Sequence, residues 1–366
     1  MKFIGTRYRD GVKDFLISLL AFTFALFVGA ILIQISGFSA IDTYKAIFKG
    51  SLGSTKGIVL SLSQATPLLF TGLAFAIAFR VRLINTGAEG QLYTGAMVSA
   101  LIGAYIVNLS PFLHSSLAVI SGMIAGGMIG IFMGYLKIKF KANEVIIGIM
   151  LNEILILITN WLSTGPFKAE GSPTSQTERI LDSAKLIKTV PKSQLTTAIL
   201  IGIAMAILLE FLLRKTSLGY EIRVIGMNLR AAETAGINVS RVYLFTIFVS
   251  GAMAGLAGAA LSLGVHYRFI EGISTGFGFS GISVAALAQY SPIGVLFSSF
   301  LFGSLKAGAM TLNRTTAIPI EFVSVIQALV VVFVAAPKLM STIIDKLSKR
   351  ISNMKNKKES DDEVLE

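Results

Sequence analysis

Long apolar segments constrain the fold of this chain more than any other feature of its sequence. A helix needs roughly 20 apolar residues to cross the hydrocarbon core of a bilayer, and ten segments meet or approach that length. They cover residues 14–36, 58–79, 91–108, 112–136, 144–162, 194–213, 241–263, 277–290, 293–312 and 320–340. Only 14% of the residues are charged, against about 25% in soluble globular domains. The sequence therefore predicts an all-α, polytopic integral membrane protein with ten transmembrane helices.

The segment 277–290 is the least regular of the ten. It is short, and the glycine-rich stretch from Gly272 to Gly281 precedes and overlaps it. Irregular backbone is tolerated at membrane depth only where protein packs around it or where it lines a cavity. This segment either spans as a short helix or enters the membrane as a broken, re-entrant element.

Basic residues predict the orientation of the chain, since cytoplasmic loops collect Lys and Arg. The N-terminal residues and the loops on the same side hold 21 of the 32 Lys and Arg residues, against 10 on the other side, and Lys306 falls within a span. Both termini are therefore predicted to be cytoplasmic. We assign residues 1–344 to a transmembrane domain and residues 345–366, which are of mixed charge, to a disordered cytoplasmic tail.

Missing residue types exclude several kinds of chemistry. The chain has no cysteine and two histidines, which excludes disulfides, thiol nucleophiles and Cys/His metal sites. It has no Gly-Lys dipeptide and therefore no Walker A phosphate loop. No Ser/His/Asp constellation or HExxH motif stands out either. We predict a protein without a cofactor, a metal or an ATPase site of its own.

The stretch from Arg214 to Arg241 is the longest polar interruption that also carries helical periodicity. Its apolar residues recur at steps of three and four, which predicts one short amphipathic helix bounded by Gly219 and Gly236. The charge count places this stretch in the cytoplasm. It is either a solvated loop or a docking helix for a soluble partner.

Small residues at four-residue spacing predict close helix packing. Such residues let a neighbouring backbone approach and gain dispersion contacts, where lipid gives no hydrophobic drive. The most complete run is Gly122, Gly126, Gly130 and Gly134, and a second run includes Gly251 and Gly255.

Polar residues concentrate where the second apolar segment ends and the third begins. Asn85, Glu89 and Gln91 lie there, and Gly87 and Gly90 let the chain turn and bring backbone amides near the polar groups. This arrangement is either a capped surface loop or part of the gate or packing core of a pore.

The fifth apolar segment carries two Asn-Glu pairs. Asn143 and Glu144 lie at its start, where they can cap the helix, whereas Asn152 and Glu153 lie in mid-span. A mid-span carboxylate should face a cavity or a partner and not lipid. Lys306 is the candidate partner of Glu153, and the pair either holds helices together or lines a route.

The long loop at 163–193 is either passive or a surface for an external partner.

Four stretches of this sequence resemble permease subunits of bacterial ABC importers for branched-chain amino acids, ribose and nucleosides. They are INTGAEGQ (84–91), ANEVIIGIMLN (142–152), LGYEIRVIGMNLRAAETAGINV (218–239) and GFGFSGISVAALAQYSPIG (276–294). The resemblance covers residues 57–337, and the first two stretches are most similar to nucleoside permeases of the purine or guanosine type. The sequence departs from the family pattern at Ala288 and Gln289, which leaves the short loop before Pro292 without charge.

The resemblance implies a fold of the vitamin B12-permease type in the bacterial cell membrane. It also implies a second permease chain, cytoplasmic ATPases that bind the ATP, and an external lipoprotein that delivers the substrate. The cytoplasmic loop would be the helix that rests on the ATPase. We assign ATPase coupling to Arg223, Gly226, Asn228, Arg230, Ala231, Ala232 and Gly236. We assign the translocation route or gate to Asn85, Glu89, Gln91, Asn143, Glu144, Asn152 and Glu153.

The expected function is therefore a permease that forms the route for a small polar solute, with a nucleoside first and a sugar or a branched-chain amino acid as alternatives. The competing class is an ion- or proton-coupled secondary transporter, in which Glu153 would be the proton site. A membrane scaffold without transport explains least, since it needs no carboxylate within the membrane.

Overall fold

The computed structural model describes residues 23–315, 325–329 and 332, and the side chains of its last long helix as far as Leu312. The described part is helical, apart from turns, loops and isolated β-bridges. Its helices are α1 (Thr23–Ile35), α2 (Ala40–Ser51), α3 (Thr55–Phe79), α4 (Ala88–Tyr105), α5 (Pro111–Phe140), α6 (Glu144–Thr164), α7 (Ala198–Lys215), α8 (Ser217–Met227), α9 (Leu229–Thr234), α10 (Val239–Leu261), α11 (Phe277–Leu287) and α12 (Pro292–Thr315). The all-α prediction is confirmed for these residues. The predicted tail at 345–366 lies outside them.

The chain divides into two compact units, one formed by Met1–Tyr44 with Ile318–Glu366 and the other by Lys45–Ala317. In the first unit, the Tyr44 hydroxyl donates a hydrogen bond to the carbonyl oxygen of Leu26 (2.6 Å). A Cβ atom added to Gly29 would lie only 2.8 Å from the Ile326 side chain. The second unit contains every candidate site residue that the sequence predicts.

Within the residues that the structure describes, five helices are long and apolar enough to cross a membrane: α3, α5, α6, α10 with the π-helical turn that follows it, and α12. Their bounds match the predicted apolar segments within a few residues. Helices α4 and α7, with 18 residues each, also fall on predicted segments. Helix α2 was not predicted, because its sequence mixes polar and apolar residues too evenly to give a span.

Helix α10 is the centre of the second unit and packs against α3, α4 and α5. The packing with α5 depends on the predicted glycines. A Cβ atom on Gly126 would overlap the Gly251 carbonyl oxygen, and one on Gly255 would overlap the carbonyl oxygen of Gly122. The prediction that these small residues form a packing face is therefore confirmed.

The long loop after α6 is tied to the ends of α4 and α10. The Thr177 amide donates to the Phe269 carbonyl oxygen (3.0 Å), and the Ile180 amide donates to that of Tyr267 (2.9 Å). The Leu181 amide donates to the carbonyl oxygen of Gly103 near the C-terminal end of α4 (2.8 Å). This loop is thus an ordered cap. We call the end of the second unit at which this loop lies the cap end. The opposite end carries α8 and α9, and we call it the α8 end.

The chain between α10 and α11 runs back along α4 as irregular backbone. Tyr267 lies beside the cap, whereas Gly278 donates a backbone hydrogen bond to Glu89 in the first turn of α4. Between these points the Phe269 ring makes an edge contact with the Tyr93 ring (6.2 Å between centroids). Helix α11 then continues for 11 residues, or about 16 Å. Of the two arrangements open from the sequence, this geometry is that of a broken element packed within protein.

Candidate translocation and coupling sites

The turn between α3 and α4 places two buried amides face to face. Asn85 Nδ2 donates to Gln91 Oε1 (2.7 Å), and Gln91 Nε2 donates back to Asn85 Oδ1 (3.2 Å). Asn85 Nδ2 also donates to the hydroxyl of Ser250 on α10 (2.7 Å), which in turn donates to the Ala74 carbonyl oxygen on α3 (2.6 Å). Asn85 and Gln91 therefore tie three helices together, and neither is exposed to a route within this chain.

Asn152 on α6 caps α4 from outside that helix. The N-terminal residue of α4 has no side-chain cap of its own at Gly87, and the first N–H groups of a helix have no helical acceptor. Asn152 Oδ1 accepts from the Gly90 amide (2.7 Å), while its Nδ2 donates to the Thr86 carbonyl oxygen (2.7 Å). Gly148, one turn earlier, allows α6 to approach, because a Cβ atom there would overlap the Thr86 hydroxyl.

Glu89 joins the first turns of α4 and α11. Its carboxylate is buried and accepts a hydrogen bond from the Gly278 amide (2.6 Å). Helix N-termini carry a partial positive charge that stabilises an anion, and here two of them meet at one carboxylate. Gly278 must be glycine for this approach, since a Cβ atom would lie 2.6 Å from the Glu89 Cα and amide nitrogen.

The expected pairing of Glu153 with Lys306 is wrong. Glu153 is exposed on α6, and the ion pairs among the described residues do not include it. Lys306 Nζ instead lies 3.6 Å from the centroid of the Phe277 ring and 3.4 Å from the Thr275 carbonyl oxygen. The two neighbours Asn152 and Glu153 point in different directions because successive residues of a helix are about 100° apart.

Asn143 and Glu144 lie at the α8 end and do not join the buried amides. Asn143 caps α6, with its Oδ1 accepting from the Val145 amide (2.9 Å). The Glu144 carboxylate pairs with Lys137 Nζ of α5 (2.6 Å). The capping role foreseen for Asn143 is confirmed, and the Glu144 side chain closes the turn between α5 and α6.

The chain between α7 and α10 contains two helices and not the single helix predicted. Helix α8 ends at Met227, and Asn228 breaks the chain direction and caps α9, its Oδ1 accepting from the amides of Arg230 (3.0 Å) and Ala231 (3.2 Å). The sequence argument missed this break because Asn228 does not interrupt the apolar spacing. Gly236 has a left-handed φ of 77°, as expected for the end of a helix.

Helices α8 and α9 bury one face and expose the other. Ile222, Ile225 and Ala232 are buried, as their spacing predicted, whereas Leu229, the fourth residue of the predicted apolar face, is exposed. The other residues for which the sequence predicts ATPase coupling are half-buried or exposed, and they are Arg223, Gly226, Asn228, Arg230, Ala231 and Gly236. Met227 and Leu229 add large exposed apolar side chains. The segment can therefore offer a mixed polar and apolar surface at the α8 end.

Arg80 and Arg82 connect α8 to the α3–α4 turn, and the site prediction did not include them. Arg82 Nε donates to the Gly226 carbonyl oxygen (2.7 Å), and a Cβ atom on Gly226 would overlap the Arg80 carbonyl oxygen. Arg80 Nη2 donates to the Tyr290 carbonyl oxygen (2.8 Å), and the Phe79 and Tyr290 rings stack at 3.7 Å. The uncharged loop before Pro292 thus makes its contacts through Tyr290. The position of Arg80 and Arg82 immediately after an apolar segment is the sequence signal that could have identified them.

Comparison with known proteins matches residues 57–335 to the family described as branched-chain amino acid transport system / permease component. The chain is 33% identical to the guanosine ABC transporter permease protein NupP of Bacillus subtilis, over 93% of this chain and 99% of that protein. It is 32% identical to the nucleoside ABC transporter permease protein NupB of Lactococcus lactis, over 91% of this chain and 94% of that protein. A solved structure described as a metal-chelate type ABC transporter in an inward-facing conformation aligns with a TM-score of 0.42 at 15% identity, over 90% of this chain and 98% of that one.

Proposed function

Since the chain belongs to the permease-component family of branched-chain amino acid transport systems, we propose that it is the membrane subunit of an ABC importer for a nucleoside. The similarity to the guanosine permease of Bacillus subtilis over nearly the full length of both chains carries the choice of solute. The chain does not hydrolyse ATP in this proposal, because it lacks a Walker A loop. The partners are an ABC ATPase, a second permease subunit and an external substrate-binding lipoprotein.

The α8 end is the cytoplasmic end in this proposal, as the distribution of basic residues favours. The ATPase then docks on the exposed face of α8 and α9, which includes Met227, Leu229, Arg230 and Ala231. Both termini and the tail at 345–366 lie in the same compartment. The bacterial cell membrane is the location.

Movement of α8 reaches the translocation route through the α3–α4 turn. A displacement of α8 acts on Arg80 and Arg82 through the close contact at Gly226. The same turn carries Asn85, Glu89 and Gln91, and Glu89 holds the first turn of α11. In our proposal these side chains, with Asn152, support the gate and do not line the route. Glu153, exposed in mid-helix, faces the second permease subunit or the route between the two.

Reconstitution tests the proposed function. The chain, its partner permease, the ATPase and the external lipoprotein are placed in proteoliposomes, and uptake of labelled guanosine is followed with and without ATP. We expect uptake that requires ATP and the lipoprotein. Uptake by this chain alone under a proton gradient would establish a secondary transporter instead.

Helix α9 provides a test of the coupling step. Ala231→Pro removes an amide that Asn228 caps, and Arg230→Glu reverses an exposed charge, so we expect either change to abolish uptake with the protein still inserted. Ala231→Ser, which keeps the capped amide, and Arg230→Lys, which keeps the charge, are the matched controls and should keep normal uptake. Normal uptake by either the Ala231→Pro or the Arg230→Glu variant would contradict the coupling assignment.

A further inference from the structure

The ammonium group of Lys306 on α12 lies about half-way between the two ends of the second unit. Its Nζ atom is 3.6 Å from the centroid of the ring of Phe277, the first residue of α11. Helix α11 is about 16 Å long, and Tyr290, just after it, stacks on Phe79 at the α8 end. The ammonium is therefore separated from that end by roughly half the 30 Å thickness of a bilayer core. A charge at this depth must face water or a polar group and not lipid.

The neighbours of Lys306 hold the ammonium without neutralising it. The face of the Phe277 ring attracts the cation through its quadrupole, and the Thr275 carbonyl oxygen accepts a long hydrogen bond (3.4 Å). The ion pairs among the described residues do not include Lys306. Glu89 attracts it electrostatically, but the Glu89 carboxylate is already bound to the Gly278 amide. A lysine ammonium has three donors, so those that do not point at Thr275 are available to a further acceptor.

The surroundings of this ammonium are open on one side. The Lys306 side chain is half-buried, and Thr275 beside it is exposed. Thr275 belongs to the irregular backbone before α11, and such backbone is tolerated at membrane depth only inside protein or beside a water-filled cavity. Packing buries the neighbouring Ile273 and Phe277 but not Thr275. The charge of Lys306 and the exposed backbone at Thr275, which are separate observations, therefore both indicate water at the same point.

We propose that Lys306 contacts the solute in the translocation route and donates hydrogen bonds to its acceptor atoms, an inference that rests on the proposed importer function. A lysine that only pinned α11 to α12 would have its donors satisfied by the chain, because an unsatisfied buried donor is costly. The open side at Thr275 gives a solute access to the donors instead. A flexible four-carbon stem lets the ammonium follow a solute as it moves.

The chemistry of Lys306 defines a class of solute. Hydroxyl groups, a base carbonyl oxygen and ring nitrogens all accept hydrogen bonds from an ammonium, and a nucleoside carries each of them. A cationic solute would be repelled, strongly so where little water screens the charges. The site therefore favours an uncharged solute that is rich in acceptors. Glu89, which supports the first turn of α11, keeps its structural role in this arrangement.

Cysteine labelling tests whether Lys306 faces water and solute. The chain has no cysteine, so Lys306→Cys places a single thiol in it, and mass spectrometry of this chain follows the reaction with 2-aminoethyl methanethiosulfonate in the reconstituted complex. Thiolates react and form only where water is present, so labelling should be at least about tenfold faster than at Met128→Cys, an exposed apolar position of α5. Saturating lipoprotein and guanosine should slow labelling at Lys306→Cys about twofold or more, as expected of an occupied site.

Uptake tests whether the charge matters for transport. Lys306→Met keeps the length of the side chain but removes the donors, so guanosine uptake should fall by at least about tenfold, with folded complex still obtained. Lys56→Met, which removes an exposed lysine at the start of α3, is the matched control and should keep normal uptake. The aminoethyl label returns an ammonium to Lys306→Cys and should restore uptake, whereas an ethyl label of the same reagent type should not.

Three results would overturn this inference. Labelling at Lys306→Cys no faster than at Met128→Cys would close the site to water and assign Lys306 to a contact with protein. Labelling that guanosine does not slow would separate Lys306 from the solute and leave it a structural contact of α11. Normal uptake by Lys306→Met would remove the ammonium from transport. If the wild-type complex takes up guanosine and any of these results is found, only this inference fails; absence of any nucleoside uptake by the wild type is the failure of the proposed function.

Discussion

At the scale of single residues, burial separates side chains that are adjacent in the sequence. Asn152 satisfies two backbone groups of the α3–α4 turn, whereas Glu153 is exposed on the same helix. Both were assigned to the translocation route for the same reason, namely a polar group in mid-span. Asn152 therefore has a structural role. Glu153 is accessible to a solute or, in our proposal, to the second permease subunit.

Asn152→Ala should destabilise the protein. It leaves the Gly90 amide and the Thr86 carbonyl oxygen buried without their partner, at a cost of about 1–3 kcal/mol for each unsatisfied group. Thermal unfolding in detergent should show a clear drop in Tm. Asn143→Ala is the matched control, because it removes only an exposed helix cap, worth about 1 kcal/mol. Equal stability of the two variants would show that Asn152 does not hold the turn.

Glu89→Gln tests the carboxylate between two helix N-termini. The amide keeps the size of the side chain but loses the charge that the helix ends stabilise, so we expect a loss of about 1–2 kcal/mol in unfolding free energy and slower uptake. Glu153→Gln neutralises an exposed carboxylate of the same chain and should leave the unfolding free energy unchanged. If Glu89→Gln keeps wild-type stability and uptake, the junction of α4 and α11 does not depend on the Glu89 charge.

At the scale of elements, α8 is in direct contact with the α3–α4 turn, and in our proposal this contact transmits the movement of the docked ATPase to the membrane helices. Gly226 allows the contact, and Arg82 adds a hydrogen bond to it. Arg80 continues the path to the loop between α11 and α12 through Tyr290. An amphipathic helix that is only docked on the surface would lack these bonds.

Gly226→Ala should uncouple ATP hydrolysis from uptake. The added methyl group overlaps the Arg80 carbonyl oxygen, so α8 must shift away from the turn. We expect uptake to fall by roughly tenfold or more, equivalent to about 1.4 kcal/mol, with ATPase activity retained. Val224→Ala, a truncation on the same helix that creates no overlap, should keep normal coupling. Parallel loss of ATPase activity and uptake in Gly226→Ala would indicate failed docking and not uncoupling.

At the scale of the whole molecule, the second unit is organised by close backbone contacts around α10. Glycines on α5 and α10 face one another, and a Cβ atom on Gly95 of α4 would lie 2.5 Å from the Gly255 backbone. Dispersion between closely spaced backbones is the available driving force, because lipid is as apolar as the helix interior. Substitutions at these glycines therefore act on the assembly of the unit and not on one site.

Gly126→Val should prevent correct packing of α5 on α10. The side chain would overlap backbone atoms of Gly251 and Gly255, which cannot rotate away as a side chain can, so a cost of about 3 kcal/mol or more is expected. The yield of folded protein and the Tm in detergent report it. Met128→Val, two residues further at an exposed position, should have little effect. Comparable folding of the two variants would contradict the packing role.

The sequence predicted the helices and the glycine packing face because the interactions that form them involve residues close together in the chain. Apolar length, caps and turn glycines act over a few residues, so the bounds of α3, α5, α6 and α12 could be read directly. The resemblance of four short stretches to ABC permeases was likewise carried by contiguous residues, and the family match confirmed it. The buried face of α8 was also predicted from the spacing of its apolar residues, whereas the break between α8 and α9 at Asn228 was not predicted.

Only the tertiary structure decided which polar residues meet. Asn85 and Ser250 are 165 positions apart in the chain, and Glu89 and Gly278 are 189 apart, yet each pair is hydrogen-bonded. Apolar patterning gave no guide to these contacts, because a membrane helix is apolar on the face that meets lipid and on the face that meets protein. The rotation of α6, which buries Asn152 and exposes Glu153, was therefore set by packing and could not be inferred from hydropathy.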